Sequence, residues 1–405
     1  MNTLSRMDNA KKLAVVTFFS NLYFYNHIGM LYLQTRGLNL FQVSSMWSII
    51  VGTIFLAEVP AGVFADKFGR KWSVVTALLL QTLGEFFYFF AKDYFAFVFI
   101  AILAGAGYAF LSGANEALVY DSLPEKDRET EMKKSMGLIG SAYQLAFFIA
   151  PLIGGLIVSQ LILAKFLSAI FITACSVALA FVISLSLEEP KDSFARSEES
   201  PLNIFREGLN EVKNNKRLIW LIAIAVLTST FSNSLLSLYQ PYFAGASVPT
   251  FWIGASLSLG GLLAFILQKN AYLIEKKLGK VGFLFISIWP GIMYLLLATI
   301  SLPALLVPIF VITYASMEVR NPLLSSYKNE QIGNKNRATV LSLINMFGMF
   351  YVALMGLVFG KIADHSIPLS FAFTGSLIIF FAIVLRTDKV VIQVLDKTRE
   401  ISSSQ

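Results

Sequence analysis

The chain is nearly without cysteine: Cys175 is the only one in 405 residues. That excludes an intrachain disulfide and argues against a thiolate metal cage. Histidine is almost as scarce, with His27 and His365 alone, which argues against a His-rich zinc or haem site. Charge is thin too: Asp, Glu, Lys and Arg make up 14% of the chain, where a soluble domain carries roughly 25%. There is no nucleophile elbow, no P-loop, no Rossmann glycine triplet and no metal-ligand cluster, so nothing suggests an enzyme, a cofactor or a metal. What the chain does have is apolar: 56% hydrophobic residues, 36 Phe, 15 Tyr and a mean hydropathy of +0.68. A water-facing surface has no place for that much apolar side chain. The balance points to a polytopic α-helical membrane protein.

A spanning helix needs about 20 mostly apolar residues. Windows of that kind fall near 13–35, 42–65, 73–91, 94–120, 136–160, 165–187, 218–242, 250–273, 281–300, 303–326, 338–360 and 367–386. The first follows basic residues, as a signal peptide would, but it is long, lacks a small-residue cleavage site and precedes eleven more spans. It reads as the first helix. With the N-terminus placed in the cytoplasm, 27 of the 32 Lys and Arg residues fall on the cytoplasmic side. The opposite face has Arg36, Lys92, Lys165 and Lys361, and Arg320 lies inside a span. The positive-inside rule therefore puts both termini in the cytoplasm. The net charge of +7 reads as topology and attraction to anionic lipid, with no nucleic acid as partner.

The one long polar stretch runs from Glu188 to Arg217. Within it Leu202, Phe205, Leu209 and Val212 recur at helical spacing, predicting an amphipathic helix along the inner membrane surface. The expected organisation is a six-helix bundle over 1–187, a linker over 188–217, a second six-helix bundle over 218–386 and a tail over 387–405. The halves echo each other: Asp121 precedes Arg128 by seven residues, as Glu330 precedes Arg337. Glu275-Lys276-Lys277-Leu278-Gly279-Lys280 also parallels Ala65-Asp66-Lys67-Phe68-Gly69-Arg70, in degenerate form. Such duplication is expected of transporters.

The strongest motif is Gly62-Val63-Phe64-Ala65-Asp66-Lys67-Phe68-Gly69-Arg70-Lys71, between the second and third spans. Gly62 suits a close helix approach, Asp66 suits a cap on the following segment, and Gly69 suits a tight turn. Arg70 and Lys71 suit the headgroup layer. These residues complete the pattern G-x-x-x-D-(R/K)-x-G-R-(R/K), and here the sequence resembles the major facilitator superfamily over essentially its whole length. The resemblance implies an all-α fold of twelve transmembrane helices in two pseudo-symmetric six-helix bundles. It also implies a monomeric secondary transporter in a prokaryotic plasma membrane. Without a P-loop, its energy comes from protons or another ion or solute gradient. Ala150-Pro151-Leu152-Ile153-Gly154-Gly155 is similar to the antiporter motif G-P-x-x-G-G, with Ala150 replacing the first glycine. By the same resemblance, Asp121 pairs with Arg70 to latch the cytoplasmic side, in a loop that also carries Arg128. One departure stands out. The family's fourth helix often carries an arginine four residues before a Gly-x-Gly, and here that position is Ala101, before Gly105 and Gly107.

Ionisable groups inside spans are expensive and face protein or a watery cavity. Glu58 and Glu116 lie close to the motif loop and read as members of its charge network, with a proton-coupling role as the alternative. Glu85, in the middle of the third span, is expected to pair with a polar group of a neighbouring helix. Tyr314, Glu318, Asn321 and Ser325 form one polar stripe on the tenth span. A carboxylate there suits proton binding, so Glu318 is the first proton-coupling candidate and Glu116 the second. Glu318 and Arg320, two residues apart, do not face each other on a helix. His27 is a further candidate, weighed against a structural hydrogen-bonded role. The resemblance puts helices 1, 4, 7 and 10 around the substrate cavity. The candidate lining is Asn21, Tyr25, Tyr143, Gln144, Asn233, Tyr239, Tyr314, Arg320, Asn321 and Asn345. This polar-aromatic inventory suits a small, amphipathic, uncharged or cationic substrate, with Arg320 the one candidate anion clamp. The expected activity is proton-coupled efflux by alternating access, as in the drug-exporting branch of the family. The alternatives are a proton-coupled nutrient or metabolite importer and a non-transporting receptor or scaffold.

Overall fold

The computed structural model describes residues 8–123, 127–190, 210, 212–213, 215–229, 231–278, 282–330 and 337–388. The helix expected over 202–214 lies outside them, save for Asn210, Val212 and Lys213, as does the tail beyond Asp388.

Every regular element among the described residues is a helix. In chain order they are α1 (Asn9–Ser20), α2 (Gly29–Thr35), α3 (Leu40–Phe68), α4 (Arg70–Phe90), α5 (Tyr94–Leu111), α6 (Ala114–Ser122), α7 (Arg128–Ile157) and α8 (Leu163–Ser184). After the linker come α9 (Lys216–Leu227), α10 (Ser232–Gly245), α11 (Thr250–Lys269), α12 (Ala271–Leu278), α13 (Gly282–Thr299), α14 (Pro303–Glu318), α15 (Arg320–Glu330), α16 (Arg337–His365) and α17 (Ile367–Val384). Among the described residues ten stretches are long and apolar enough to cross a bilayer, and α13 is a shorter apolar helix. Their exposed faces carry large apolar side chains such as Phe55, Phe86, Phe95 and Phe171. In lipid this is the expected arrangement, because the hydrocarbon takes the place of a protein core.

The chain divides into two compact units, Met1–Ser197 with Pro249–Ser258, and Glu198–Val248 with Leu259–Gln405. The same helix pairing recurs inside each. In the first unit α4 packs on α5 and α8, and α1 packs on α7 and α8. In the second, α13 packs on α14 and α17, and α9 and α10 pack on α16 and α17. The sequence echo between halves is thus an echo of packing. Some of these contacts need glycine. A Cβ on Gly375 of α17 would lie 2.6 Å from the Gly291 carbonyl oxygen of α13, so only two glycines allow this backbone crossing.

Four stretches expected to be continuous are interrupted: the first (α1/α2), fourth (α5/α6), seventh (α9/α10) and tenth (α14/α15). Gly113 (φ +72°) marks the second of these and Phe231, in the left-handed region at φ +52°, the third. At the fourth the cause is chemical. Pro322 has no N–H to offer the Glu318 carbonyl one turn back. An interrupted helix in lipid must have its freed backbone groups met by other protein groups, and each interruption here does. Thr173 Oγ1 accepts from the Phe24 N–H at 3.1 Å, and Ser176 donates to the Phe19 carbonyl at 2.8 Å. Ser73 donates to the Phe110 carbonyl at 2.7 Å. The Arg320 guanidinium donates to the Ala225 carbonyl at 3.4 Å, and the Tyr294 hydroxyl to the Phe231 carbonyl at 3.1 Å. Gln268 donates to the Glu318 carbonyl at 3.3 Å.

Candidate functional site

The motif loop of the first unit is a short turn between α3 and α4. Gly69 sits at φ +103°, a conformation that only glycine adopts without strain. The cap on α4 is not Asp66, which is exposed near the end of α3. The Glu189 carboxylate caps it instead, accepting from the Arg70 and Lys71 N–H groups, each at 2.8 Å. The reason is positional: Asp66 is still inside α3, whereas the chain leaving α8 passes directly over the first turn of α4. A Cβ on Gly69 would fall 2.5 Å from a Glu189 oxygen. Gly62 does not serve a close approach, for a Cβ there meets nothing within 4 Å.

Arg70 Nη1 pairs with Asp121 Oδ2 at 2.5 Å, tying α4 to α6. Alongside, Lys12 is 1% exposed along its side chain, and its ammonium reaches Glu188 Oε1 at 2.8 Å and the Ser186 carbonyl at 2.9 Å. The hydrogen bond from Lys12 and its positive charge hold the Glu188 carboxyl below its ordinary range. Asn9 donates to Ser122 Oγ and to the Glu188 carbonyl, and accepts from the Glu188 N–H. Asn9, Lys12, Glu188 and Glu189 therefore belong to the polar web of the motif loop, although no pattern in the sequence singled them out as partners. Arg128 stays outside the web, donating to the Leu123 carbonyl and lying over the Tyr120 ring at 5.0 Å. Glu58 and Glu116 are both exposed, and neither forms an ion pair among the described residues. The charge network expected to include them does not.

The interruption of the first span carries Asn21, Tyr25 and His27. Asn21 turns back on the Thr17 carbonyl at 2.8 Å. His27 is fully buried and wedged among small residues. A Cβ on Gly154 would collide with its ring and with the Phe24 carbonyl, and one on Gly254 would approach the ring to 2.9 Å. The small-residue stretch Ala150–Gly155 thus gives α7 a close contact with the interruption of the first span. Tyr25 reaches Glu85: its hydroxyl lies 2.9 Å from both carboxyl oxygens. Tyr143 and Gln144 of α7 are exposed, with Tyr143 stacked on Phe147 at 6.2 Å.

In the second unit Glu318 closes α14. Its Oε2 accepts from Asn321 Nδ2 at 2.9 Å and from Gln268 Nε2 at 3.2 Å. Beside it opens a groove of 540 Å³ lined by Phe265, Gln268, Lys269, Asn321, Pro322 and Ser325. Arg320 is 4% exposed and turned away from Glu318 toward the seventh span, donating to Thr228 Oγ1 at 2.6 Å. Its guanidinium serves the interruption there, which no sequence pattern disclosed. Tyr239 is buried and stacked on Phe310 at 4.3 Å, and Tyr314 stacks on the same ring at 6.3 Å. The Asn233 carbonyl accepts from Ser237, and Asn345 is exposed on α16.

The sequence profile of the Major Facilitator Superfamily matches residues 13–356. The chain belongs to the Major Facilitator Superfamily. It is 28% identical to Multidrug resistance protein 2 of Bacillus subtilis (strain 168), over 79% of each chain. It is 24% identical to the uncharacterized MFS-type transporter YxaM of the same organism, over 84% of this chain and 85% of that one. Among solved structures, the nucleoside transporter NupG superposes with a TM-score of 0.74 at 14% identity, over 94% of this chain and 99% of that one. That likeness is one of fold. The protein is a multi-pass membrane transporter of this superfamily.

Proposed function

We propose that this transporter exports small amphipathic compounds across a prokaryotic plasma membrane in exchange for protons, with both termini in the cytoplasm. Transport is by alternating access of the two six-helix halves, 1–187 and 218–386, which the linker 188–217 joins. The observation that carries the reading is Glu318, a carboxylate at the interrupted tenth span, held by two side-chain amides beside a groove. Charged groups at membrane depth are costly and mark proton or substrate pathways. Asn321 and Gln268 keep the Glu318 carboxylate oriented whether or not it carries a proton, as a proton carrier requires. The close-packed Ala150–Gly155 stretch and the relative named a multidrug resistance protein support the export direction. The test is flux in everted membrane vesicles under an imposed proton gradient. Wild type is expected to accumulate an amphipathic dye, and Glu318→Gln to lose substrate-driven proton movement. Accumulation in right-side-out vesicles alone would make the protein an importer. Unchanged proton movement in Glu318→Gln would remove Glu318 from the coupling step.

A further inference from the structure

The groove beside Glu318 brings together two opposite charges that do not meet. Glu318 Oε2 accepts from Asn321 and Gln268, and both amides line the groove. Glu318 Oε1 accepts no hydrogen bond from a described residue. Lys269, the last residue of α11, lies on the groove wall with its side chain exposed. No described carboxylate is within ion-pair distance of its ammonium. Arg320 adds no second cation to the groove, because it is buried and turned to Thr228. The rest of the lining is Phe265, which is 61% exposed, with Pro322 and Ser325.

A lysine at the end of a span ordinarily reaches for lipid headgroups. This one borders a cavity of 540 Å³, the size of a small-molecule site. An opposite pair held apart at one groove sorts ligands by charge. A monocation is drawn to Glu318 and repelled by Lys269, and a monoanion meets the reverse. A ligand with one group of each sign satisfies both, while its rings cover Phe265 and Pro322. We propose that Lys269 is the specificity-determining residue of this groove and that, with Glu318, it selects an aromatic zwitterion over a monocation of the same shape. The positive group of the ligand faces Glu318 Oε1, and its carboxylate faces the Lys269 ammonium. The inference names a substrate class for the Glu318 site of the export reading. It rests on that reading only for the ligand's role as cargo, because binding is measured without flux.

The probes are three dyes built on one ring system: rhodamine B, a zwitterion; its ethyl ester, a monocation; and fluorescein, an anion. Each is dialysed to equilibrium against the purified full-length protein in detergent, at neutral pH, with a matched detergent blank. Wild type is expected to bind rhodamine B about three- to tenfold tighter than the ester or fluorescein. Lys269→Gln should move the first two in opposite directions, weakening rhodamine B and tightening the ester several-fold each. Lys269→Arg, which keeps the charge, should restore the wild-type order. Glu318→Gln should weaken both rhodamines and tighten fluorescein. Phe265→Ala should weaken all three dyes alike. Loss of fold would weaken every dye, so the opposed shifts report charge selection alone. The site is refuted if wild type binds none of the dyes or binds the ester as tightly as rhodamine B. It is also refuted if Lys269→Gln shifts both rhodamines the same way or neither. Lys269-dependent selection without proton-driven flux in vesicles would overturn the export reading and leave this site standing; proton-driven export of the ester in preference to rhodamine B would do the reverse.

Discussion

Removing the Glu189 carboxylate should loosen the motif loop by an amount that its geometry sets. Two N–H groups at the start of α4 each donate to it at 2.8 Å. They are among the first-turn donors that have no partner within the helix. Losing a side-chain cap costs about 0.5–2 kcal/mol, and losing a negative charge at a helix N-terminus about 0.3–1 kcal/mol more. Glu189→Ala should therefore destabilise the first unit by about 1–3 kcal/mol. For a unit near 200 residues, a loss of about 2 kcal/mol lowers the melting midpoint by about 4–8 °C. Glu189→Gln keeps one acceptor oxygen without the charge and should fall about halfway. Asp66→Asn, at an exposed position that caps nothing here, should stay within about 0.5 kcal/mol of wild type. The assay is thermal unfolding of the detergent-purified protein, followed by intrinsic fluorescence at low and high salt. The reasoning fails if Asp66→Asn lowers the midpoint as much as Glu189→Ala, or if Glu189→Ala melts with wild type.

Three further outcomes follow from particular contacts. Gly375→Ala puts a Cβ 2.6 Å from the Gly291 carbonyl oxygen and should cost about 1–3 kcal/mol in the same melt; Gly52→Ala, where a Cβ meets nothing within 4 Å, is the neutral control. Arg320→Ala strips donors from Thr228 and the Ala225 carbonyl at the seventh-span interruption and should destabilise by about 2–4 kcal/mol. Full stability of that variant would show that the interruption does not need the guanidinium. Lys12 holds the Glu188 carboxyl below its ordinary range, so the ionised form favours the folded state. The stability gap between wild type and Glu188→Gln should hold from neutral pH to about pH 5 and close as pH falls below about 4.3; a gap that widens in acid would contradict the pairing.

Much of this protein was legible in the chain alone, because the bilayer imposes simple rules. Apolar runs of fixed length place the helices, and one loop motif names the superfamily. The turn at Gly69 was readable from that motif, because a short loop needs a residue free to take a positive φ, whereas the Arg70–Asp121 pair was implied only by the family resemblance. The duplication was faintly visible as spacing and is clear as repeated packing. The tertiary structure decided what depends on partners distant in sequence. Hydropathy averages over a window and does not register an interruption, so the first, fourth, seventh and tenth stretches read as unbroken. Their freed backbone groups are met by Thr173, Ser176, Ser73, Tyr294, Gln268 and Arg320, each from another helix. The sequence made Arg320 a candidate clamp for an anion; its environment makes it a brace for a helix. Asp66 had the right chemistry for a cap, and Glu189 has the right position. Glu85 was expected to pair with a polar group of a neighbouring helix, and only the interrupted first span identified that group as Tyr25, because a carboxylate in a membrane is understood only through the groups that face it.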